Sequence, residues 1–461
     1  MPNLKRHILT TICFALYILL AEYVMPSSKT VLIPFMALIL LLPGQRLIIL
    51  AISNIFFGIF GISFWTQFLG DFKFQSGILE ITLAFLAALG FFYLFALLTI
   101  RWPRHLAIFV LMGIVLIVSF FHAPVSKLVD SFCIALIQGV FFNCYYLRMR
   151  STREEIRPIN FLANQHSFYY GSVVPTPALI GDQIEQQSPT QRSVSEVLKC
   201  RVHAVRLLLA VAAAVFVLNN AGPILVSLFS LENLSPDHIP HFLDLPLSLS
   251  QLISGKTNLL QRWTLTILMF ISWLLKSFSF AGIAVATCRM IGIPAKASVY
   301  DLFGARTMYQ FFERYSHYYC RLMLDIFVYP TYRLLAFLKN GSGRTMASFA
   351  IGILICGIVM HHFILVGMIY YYAGTQAKYP TDLLSPAFYW ALLATAISSS
   401  IYLERKHSIE NRNRLLIAAR WILYFVFASS AFIFIQEYFI SIANFQSRLN
   451  YFLSLFGFLC S

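Results

Sequence analysis

Apolar and polar positions alternate along this chain in long blocks. Membrane-length apolar runs are separated by short polar joints. The runs predict helices near residues 8–25, 30–43, 47–65, 78–100, 105–122, 131–147, 204–230, 258–290, 345–373, 386–403, 414–437 and 438–459. A run of roughly 18 or more apolar residues spans a bilayer core when it coils as an α-helix. The 30–43 run is shorter and suits a half-span or a tight pair with its successor. The runs are continuous rather than alternating, which argues against a membrane β-barrel. The expected fold is an all-α polytopic integral membrane protein of about 11–12 transmembrane helices with re-entrant or interfacial segments.

Two stretches break the pattern. Residues 148–203 are polar and contain "FYYGSVVPTP" and "ALIG", pieces too short to cross and punctuated by Gly and Pro. Backbone of that kind is tolerated at membrane depth only where protein or a water-filled cavity surrounds it. Residues 291–344 form the second break and fall on the cytoplasmic side of the expected topology. The resulting division is 1–147 (N-terminal transmembrane helices), 148–203 (polar, re-entrant, cytoplasmic side), 204–375 (core) and 376–461 (C-terminal transmembrane helices).

Composition agrees with the pattern. Of 461 residues, 59% are hydrophobic and only 11% charged, against about 25% charged in soluble domains. The net charge of +15 is explained by where the basic residues fall. With Lys5 and Arg6 in the cytoplasm, the inside joints include "RWPRH" (101–105), "RMRSTREEIR" (148–157) and "ERKHSIENRNR" (404–414). The outside joint "LENLSPDHIPHFLDLPLS" (231–248) is acidic. Basic residues on the inner side orient such a chain, so the positive charge calls for no nucleic acid. The eight cysteines are scattered without a C-x-x-C, which suggests neither a disulfide framework nor a zinc site. No metal ligand set is expected. The basic start followed by a long apolar stretch reads as an uncleaved first span.

Chemistry-bearing residues concentrate late in the chain. In "FFERYSHYYCRLMLDIFVYP" (311–330), Glu313, His317, Arg321 and Asp325 recur every four residues. On a helix, Glu313–His317 and Arg321–Asp325 become opposite-sign neighbours. Tyr315, Tyr318, Tyr319, Phe327 and Tyr329 give the element an interfacial character, as aromatics with polar tips favour the headgroup level. A plain surface helix on the cytoplasmic leaflet would carry the same pattern. Downstream, His361 and His362 sit near the middle of an otherwise apolar run. Ionisable groups at that depth are costly, and imidazole nitrogens need partners. They serve either as interhelical hydrogen-bonding groups or as residues facing a polar cavity. Adjacent helical positions diverge by about 100°, so the two rings do not share a face.

The order of these pieces resembles the membrane-bound O-acyltransferases (MBOATs), and within them the bacterial branch of alginate O-acetylation and teichoic-acid D-alanylation proteins. Arg289, Gly292 and Ile293 match the family's "GYSDIAIGLARLLGI"-like helix. Phe311, Arg314, Arg321, Asp325 and Pro330 match its "FWRRWHxSLxxWxRDYxYxP" segment, and His361 or His362 its "GLWHG" histidine. "FYYGSVVPTPALIGD" looks like its "FPTLLAGPI" segment. The likeness covers roughly residues 160–370. It departs where the family's His or Asn falls on Ser316, where "WHG" reads "MHHF", and where Gly282 replaces an Asp.

The resemblance implies transfer of an acyl group, in this branch an acetyl group, from a cytoplasmic thioester. The donor is acyl-CoA or an acyl carrier protein, used as substrate, with no permanently bound cofactor. The acceptor is a hydroxyl on an extracytoplasmic glycan, lipid or partner protein, as in polysaccharide modification. His361 is the candidate base, with His362 a near equal, since neutral imidazole suits removal of a hydroxyl proton. Arg314, Ser316, His317, Arg321 and Asp325 would line the donor entrance, where a cation meets phosphate. The branch also implies a bacterial inner membrane and a periplasmic esterase-like partner protein. A transporter or flippase would use similar ingredients, and a non-catalytic relative would share the departures.

Overall fold

The computed structural model describes residues 2–24, 77–121, 127–149, 194–228, 259–290, 296–297, 299–305, 307–315, 317–359, 384–406, 414–434 and 445–458, with a few isolated positions between them (48, 51, 52, 55, 59, 158, 161 and 162). Helices account for nearly all of these residues, and no strand occurs among them. Among the described residues five helical stretches are long and apolar enough to cross a membrane: Ile78–Leu98, Ser195–Leu218, Arg262–Met290, Gly341–Val359 and Leu384–Glu404. Shorter apolar helices cover Ile8–Leu20, Arg104–Val118 and Ala418–Phe434. The chain is thus an α-helical membrane protein. The runs at 30–43 and 47–65 fall almost wholly outside the described residues. Of the last expected run, 438–459, the described part is an 11-residue helix, Phe445–Leu455, and three residues beyond it.

The chain forms two compact units. The first joins residues 1–213 to 278–298. Its helices are α1 (Pro2–Val24), α2 (Ile78–Leu98), α3 (Arg104–Phe121), α4 (Lys127–Met149), the start of α5 (Val194–Leu228) and the end of α6 (Leu259–Met290). α2 and α3 both pack on α4. Ile81, Ala84, Ala88, Leu89, Phe92, Phe95 and Ala96 form the buried stripe of α2, recurring every three or four residues as one helical face must. Leu79, Leu83, Leu86, Leu94 and Leu98 are exposed on the rest of it. A helix apolar all round, with only one face packed on protein, is built for lipid on the other. Gly139 of α4 lies directly against the Phe92 ring, a small residue where two helices must approach.

Polar contacts in this unit tie helix to helix. Buried Tyr17 of α1 shares a 2.7 Å hydrogen bond with Thr287 of α6. Arg201 of α5 donates from Nε to the Met290 carbonyl at 3.2 Å and from Nη1 to Thr10 Oγ1 at 3.1 Å. Met290 is the last described residue of α6. The expected polar segment 148–203 lies mostly outside the described residues. Its last ten positions are already helical, because α5 begins at Val194 rather than near 204.

The second unit comprises residues 214–277 and 299–461. It contains α7 (Met308–Tyr315), α8 (His317–Met323), a π-helical turn (Leu324–Val328), α9 (Tyr329–Leu334), a 3-10 turn (Leu335–Phe337), α10 (Gly341–Ile355), α11 (Leu384–Lys406), α12 (Arg414–Ala431) and α13 (Phe445–Leu455). α10 lies along α11 and also against the π turn. At α13, Trp263 Nε1 donates to the Leu455 carbonyl at 2.7 Å, and buried Arg448 donates to the Ile433 carbonyl at 2.8 Å.

Candidate functional site

The candidate site begins in a loop with unusual backbone. Asp301 has φ 37°, in the left-handed region, which costs a residue with a Cβ about 1 kcal/mol or more. What holds it there is Arg314 of α7. One guanidinium nitrogen, Nη1, donates to both the Asp301 carbonyl and Asp301 Oδ2, each at 2.7 Å. The return bond runs from the Tyr300 amide to the Arg314 carbonyl at 2.9 Å. Trp421 Nε1 donates to the Leu302 carbonyl at 3.1 Å and fixes the loop from α12. Gly304 makes room for this knot, since a Cβ there would strike the Arg314 and Asp301 side chains.

Thr307 then starts α7, its hydroxyl accepting from the Gln310 amide at 3.0 Å, the ordinary N-cap arrangement. Met308, Phe311 and Tyr315 point into the unit. Tyr315 shares a 3.2 Å hydrogen bond with Ser277, and its ring lies 4.7 Å from that of Trp273.

The ionisable ladder forms as two pairs, each four residues apart. Glu313 Oε1 and His317 Nδ1 are 3.8 Å apart, bridging α7 and α8, and the imidazole meets the Tyr300 ring edge-on at 5.9 Å. Arg321 Nε and Asp325 Oδ2 are 3.7 Å apart, bridging α8 and the π turn. The Arg321 side chain is 57% exposed and the Asp325 side chain 15%. A continuous helix would have wrapped the four residues obliquely over one surface. Here the element widens to π form at Leu324, and position 316 lies outside the described residues. π turns inserted in α-helices often mark functional sites.

Of the aromatics expected at the headgroup level, Tyr315 and Phe327 are buried in the unit. Their side chains fill the space among α7, the π turn and their neighbours, so they do not anchor the surface. Tyr329 is exposed. The Tyr319 hydroxyl accepts from Cys356 Sγ at 3.3 Å. Burial pushes the Cys320 thiol up, and the nearby Glu313 carboxylate adds to the rise. Burial likewise pushes the Tyr309 phenol up, again with Glu313 contributing. Both groups therefore stay protonated near neutrality, which makes Cys320 a poor nucleophile.

Two glycines bring the spanning helix onto this region. A Cβ at Gly352 would lie 3.0 Å from both Cα and N of Val328, the last residue of the π turn. Gly357 lies against the indole of Trp390 of α11, and the rings of Tyr319 (tilted, 6.3 Å) and Tyr389 (edge-on, 5.1 Å) lie near that indole. Beyond Ile355 the helix itself takes π form over residues 356–359. The described chain stops there until 384, so His361 and His362 lie outside the described residues, as does Ser316. Gly292 and Ile293 are outside as well, whereas Arg289 sits in the last turn of α6. Gly282, at the position of the family's Asp, packs directly on Val211 of α5, where a larger side chain has no room.

The structure thus brings Arg314, His317, Arg321 and Asp325 into one compact stretch but gives them different tasks. Arg314 is engaged by the Asp301 loop, and Arg321 is the cation presented outward. The sequence reading missed Asp301, although an Asp two residues after a Val and just before "LFG" is a loop signal. It also missed the Tyr319–Cys356–Trp390–Gly357 cluster, for which no local pattern exists. Among the described residues no group of three His, Cys, Asp or Glu is placed to hold a metal ion. The fold defines the class, an α-helical membrane protein whose second unit packs a broken, charge-bearing element on a spanning helix. No protein-family model matches the chain, and no curated protein matches it significantly.

Proposed function

We propose that the chain is a membrane-embedded O-acyltransferase of the MBOAT kind, with an MBOAT-like helical bundle, acting in a bacterial inner membrane with its N-terminus cytoplasmic. It moves an acyl group, acetyl in the simplest case, from a cytoplasmic thioester to a hydroxyl on an extracytoplasmic glycan, lipid or partner protein. The observation that carries this reading is the packing of the π turn 324–328, with Asp325 in it, on the helix whose sequence continues into His361 and His362. Ionisable side chains and irregular backbone then meet partway along a spanning helix, and in sequence a candidate base lies further along the same run.

In this reading Arg321 meets the donor's phosphates, since its guanidinium is largely exposed and Arg314 is held by Asp301. Asp325 orients Arg321, and Glu313 orients His317. Ser316 lies between the two pairs in sequence. His361 or His362 takes the acceptor's hydroxyl proton as its oxygen attacks the thioester carbonyl, and the donor leaves as thiolate. The apolar surroundings strengthen hydrogen bonds to the developing oxyanion. A periplasmic partner protein presents a bulky acceptor.

The test is transfer of radiolabel from acetyl-CoA in membrane vesicles, comparing wild type with His361→Ala and His362→Ala at matched expression. Loss of a general base lowers the rate about a hundredfold or more. Full labelling in both variants would overturn the site. A transporter or flippase uses similar broken elements, and that reading gains if well-expressed wild type labels no membrane or glycan fraction.

A further inference from the structure

Between the π turn and α10 the chain runs across the surface from Tyr329 to Lys339. Neither α9 nor the 3-10 turn that follows contains a buried residue. Leu334 and Phe337 are 78% and 73% exposed, and Tyr329 is exposed beside them. At about 1.5 Å per helical residue this stretch is far too short to cross a bilayer core. The exposed leucines of α2 have a different explanation, because that helix is long enough to meet lipid as it crosses.

Charge separates this segment from an ordinary apolar patch. Arg333 and Lys339 are exposed, and Arg344 follows at the start of α10. No acidic residue occurs between Asp325 and Asp382. Arg344 is folded back, its Nε donating to the Tyr332 carbonyl at 2.7 Å with the guanidinium 3.9 Å over the Tyr332 ring. Height is fixed by connection. Asn340 caps α10, its Oδ1 accepting from the Ser342 and Gly343 amides. Lys339 therefore stands two residues from a helix long and apolar enough to cross, within about 7 Å along the chain. Leu334 and Phe337 lie just before Lys339 in sequence.

We infer that Tyr329–Lys339 is an interfacial anchor for anionic phospholipid. Leu334 and Phe337 enter the acyl boundary, while Arg333 and Lys339 meet phosphate and acidic headgroups, the arrangement that amphipathic interfacial segments use. The charge distribution along the chain assigns this to the cytoplasmic leaflet. The anchor is independent of the acyltransferase reading. It sets the height at which α10 enters the bilayer.

The test uses the full chain in lipid nanodiscs, with Cys200 and Cys460 replaced by Ser and a nitroxide placed by Phe337→Cys. A second label at Ile351→Cys, exposed on α10, gives a deep reference. The 337 label is expected to be shielded from a water-soluble nickel relaxant and reached by oxygen, at a shallower depth than the 351 label. Adding phosphatidylglycerol to phosphatidylcholine discs is expected to raise the wild-type melting temperature. The Arg333→Gln, Lys339→Gln double variant, with both changes on the surface, should lose about half or more of that gain. A 337 label as accessible to nickel as a water-exposed loop would overturn the anchor and favour a soluble acidic protein as the partner. An equal phosphatidylglycerol effect in wild type and double variant would overturn the headgroup assignment.

Discussion

Helices α2, α3 and α4 of the first unit and the stretch Val299–Val359 of the second follow opposite rules. The first three are unbroken, and their packing needs little more than one apolar stripe each and a glycine where Phe92 presses in. The second stretch divides into short α, 3-10 and π pieces, and almost every division accompanies a polar group with a fixed partner. Arg314 holds the left-handed Asp301, Asn340 caps α10, and Asp325 sits in the π turn. In a lipid setting backbone irregularity is tolerated only where protein or water satisfies the freed groups. The uneven element is thus where the chain has spent stability on placing side chains, which is the usual mark of a functional region.

Glycine substitutions give the largest expected contrast. Gly352→Leu drives a side chain into the backbone of Val328, which cannot swing aside as a side-chain tip would. We expect a loss of about 3 kcal/mol, the upper part of the range for overpacking. It would be read as a lower melting temperature and loss of the monodisperse peak in detergent. Gly113→Ala in α3 meets nothing within 4 Å and should be neutral or gain a few tenths of a kcal/mol from helix propensity. Equal losses at the two sites would mean that the contrast between the regions is false.

The arginines sharpen the comparison at a smaller scale. Arg201 and Arg314 each donate to a backbone carbonyl far off in sequence or across a loop. Arg201→Met should cost about 2 kcal/mol, since a charged hydrogen bond to the Met290 carbonyl is lost together with the link to Thr10. Arg314→Met should cost about 1 kcal/mol, because Asp301 is largely exposed and water replaces part of the pair. At Asp301 itself, Gly should be more stable than Ala by about 1 kcal/mol, the left-handed conformation being free only for glycine. Thermal unfolding of the four variants beside wild type checks the order.

These same residues mark how far the sequence could be read. The spanning helices were legible because burial of a continuous apolar run determines them locally. The joints at 78, 104 and 384 fall within a few residues of the expected boundaries. The two ion pairs were legible because four-residue spacing predicts neighbours on any helix. The widening of that helix to π form was not, since it is packed by a partner remote in sequence, Gly352 against Val328. Burial of Tyr315 and Phe327 was misread for the same reason. An aromatic's place at an interface or in a core is decided by what packs on it, and Ser277 and Trp273 are 38 or more residues from Tyr315.

The smallest stability effect is expected at the residue with the largest proposed role. Arg321 is more than half exposed, and its contact with Asp325 is long at 3.7 Å. Such a pair contributes less than about 0.5 kcal/mol, so Arg321→Gln should melt with the wild type. If its guanidinium receives donor phosphates, the same variant should raise the KM for acetyl-CoA about tenfold, one charge-assisted hydrogen bond's worth, with kcat nearly unchanged. Arg321→Lys should recover part of that loss, because a point charge still attracts phosphate without the planar fork. A purely structural Arg321 would change stability and leave KM alone. The separation of the two readouts therefore decides whether the broken element differs from α2–α4 in function or only in shape.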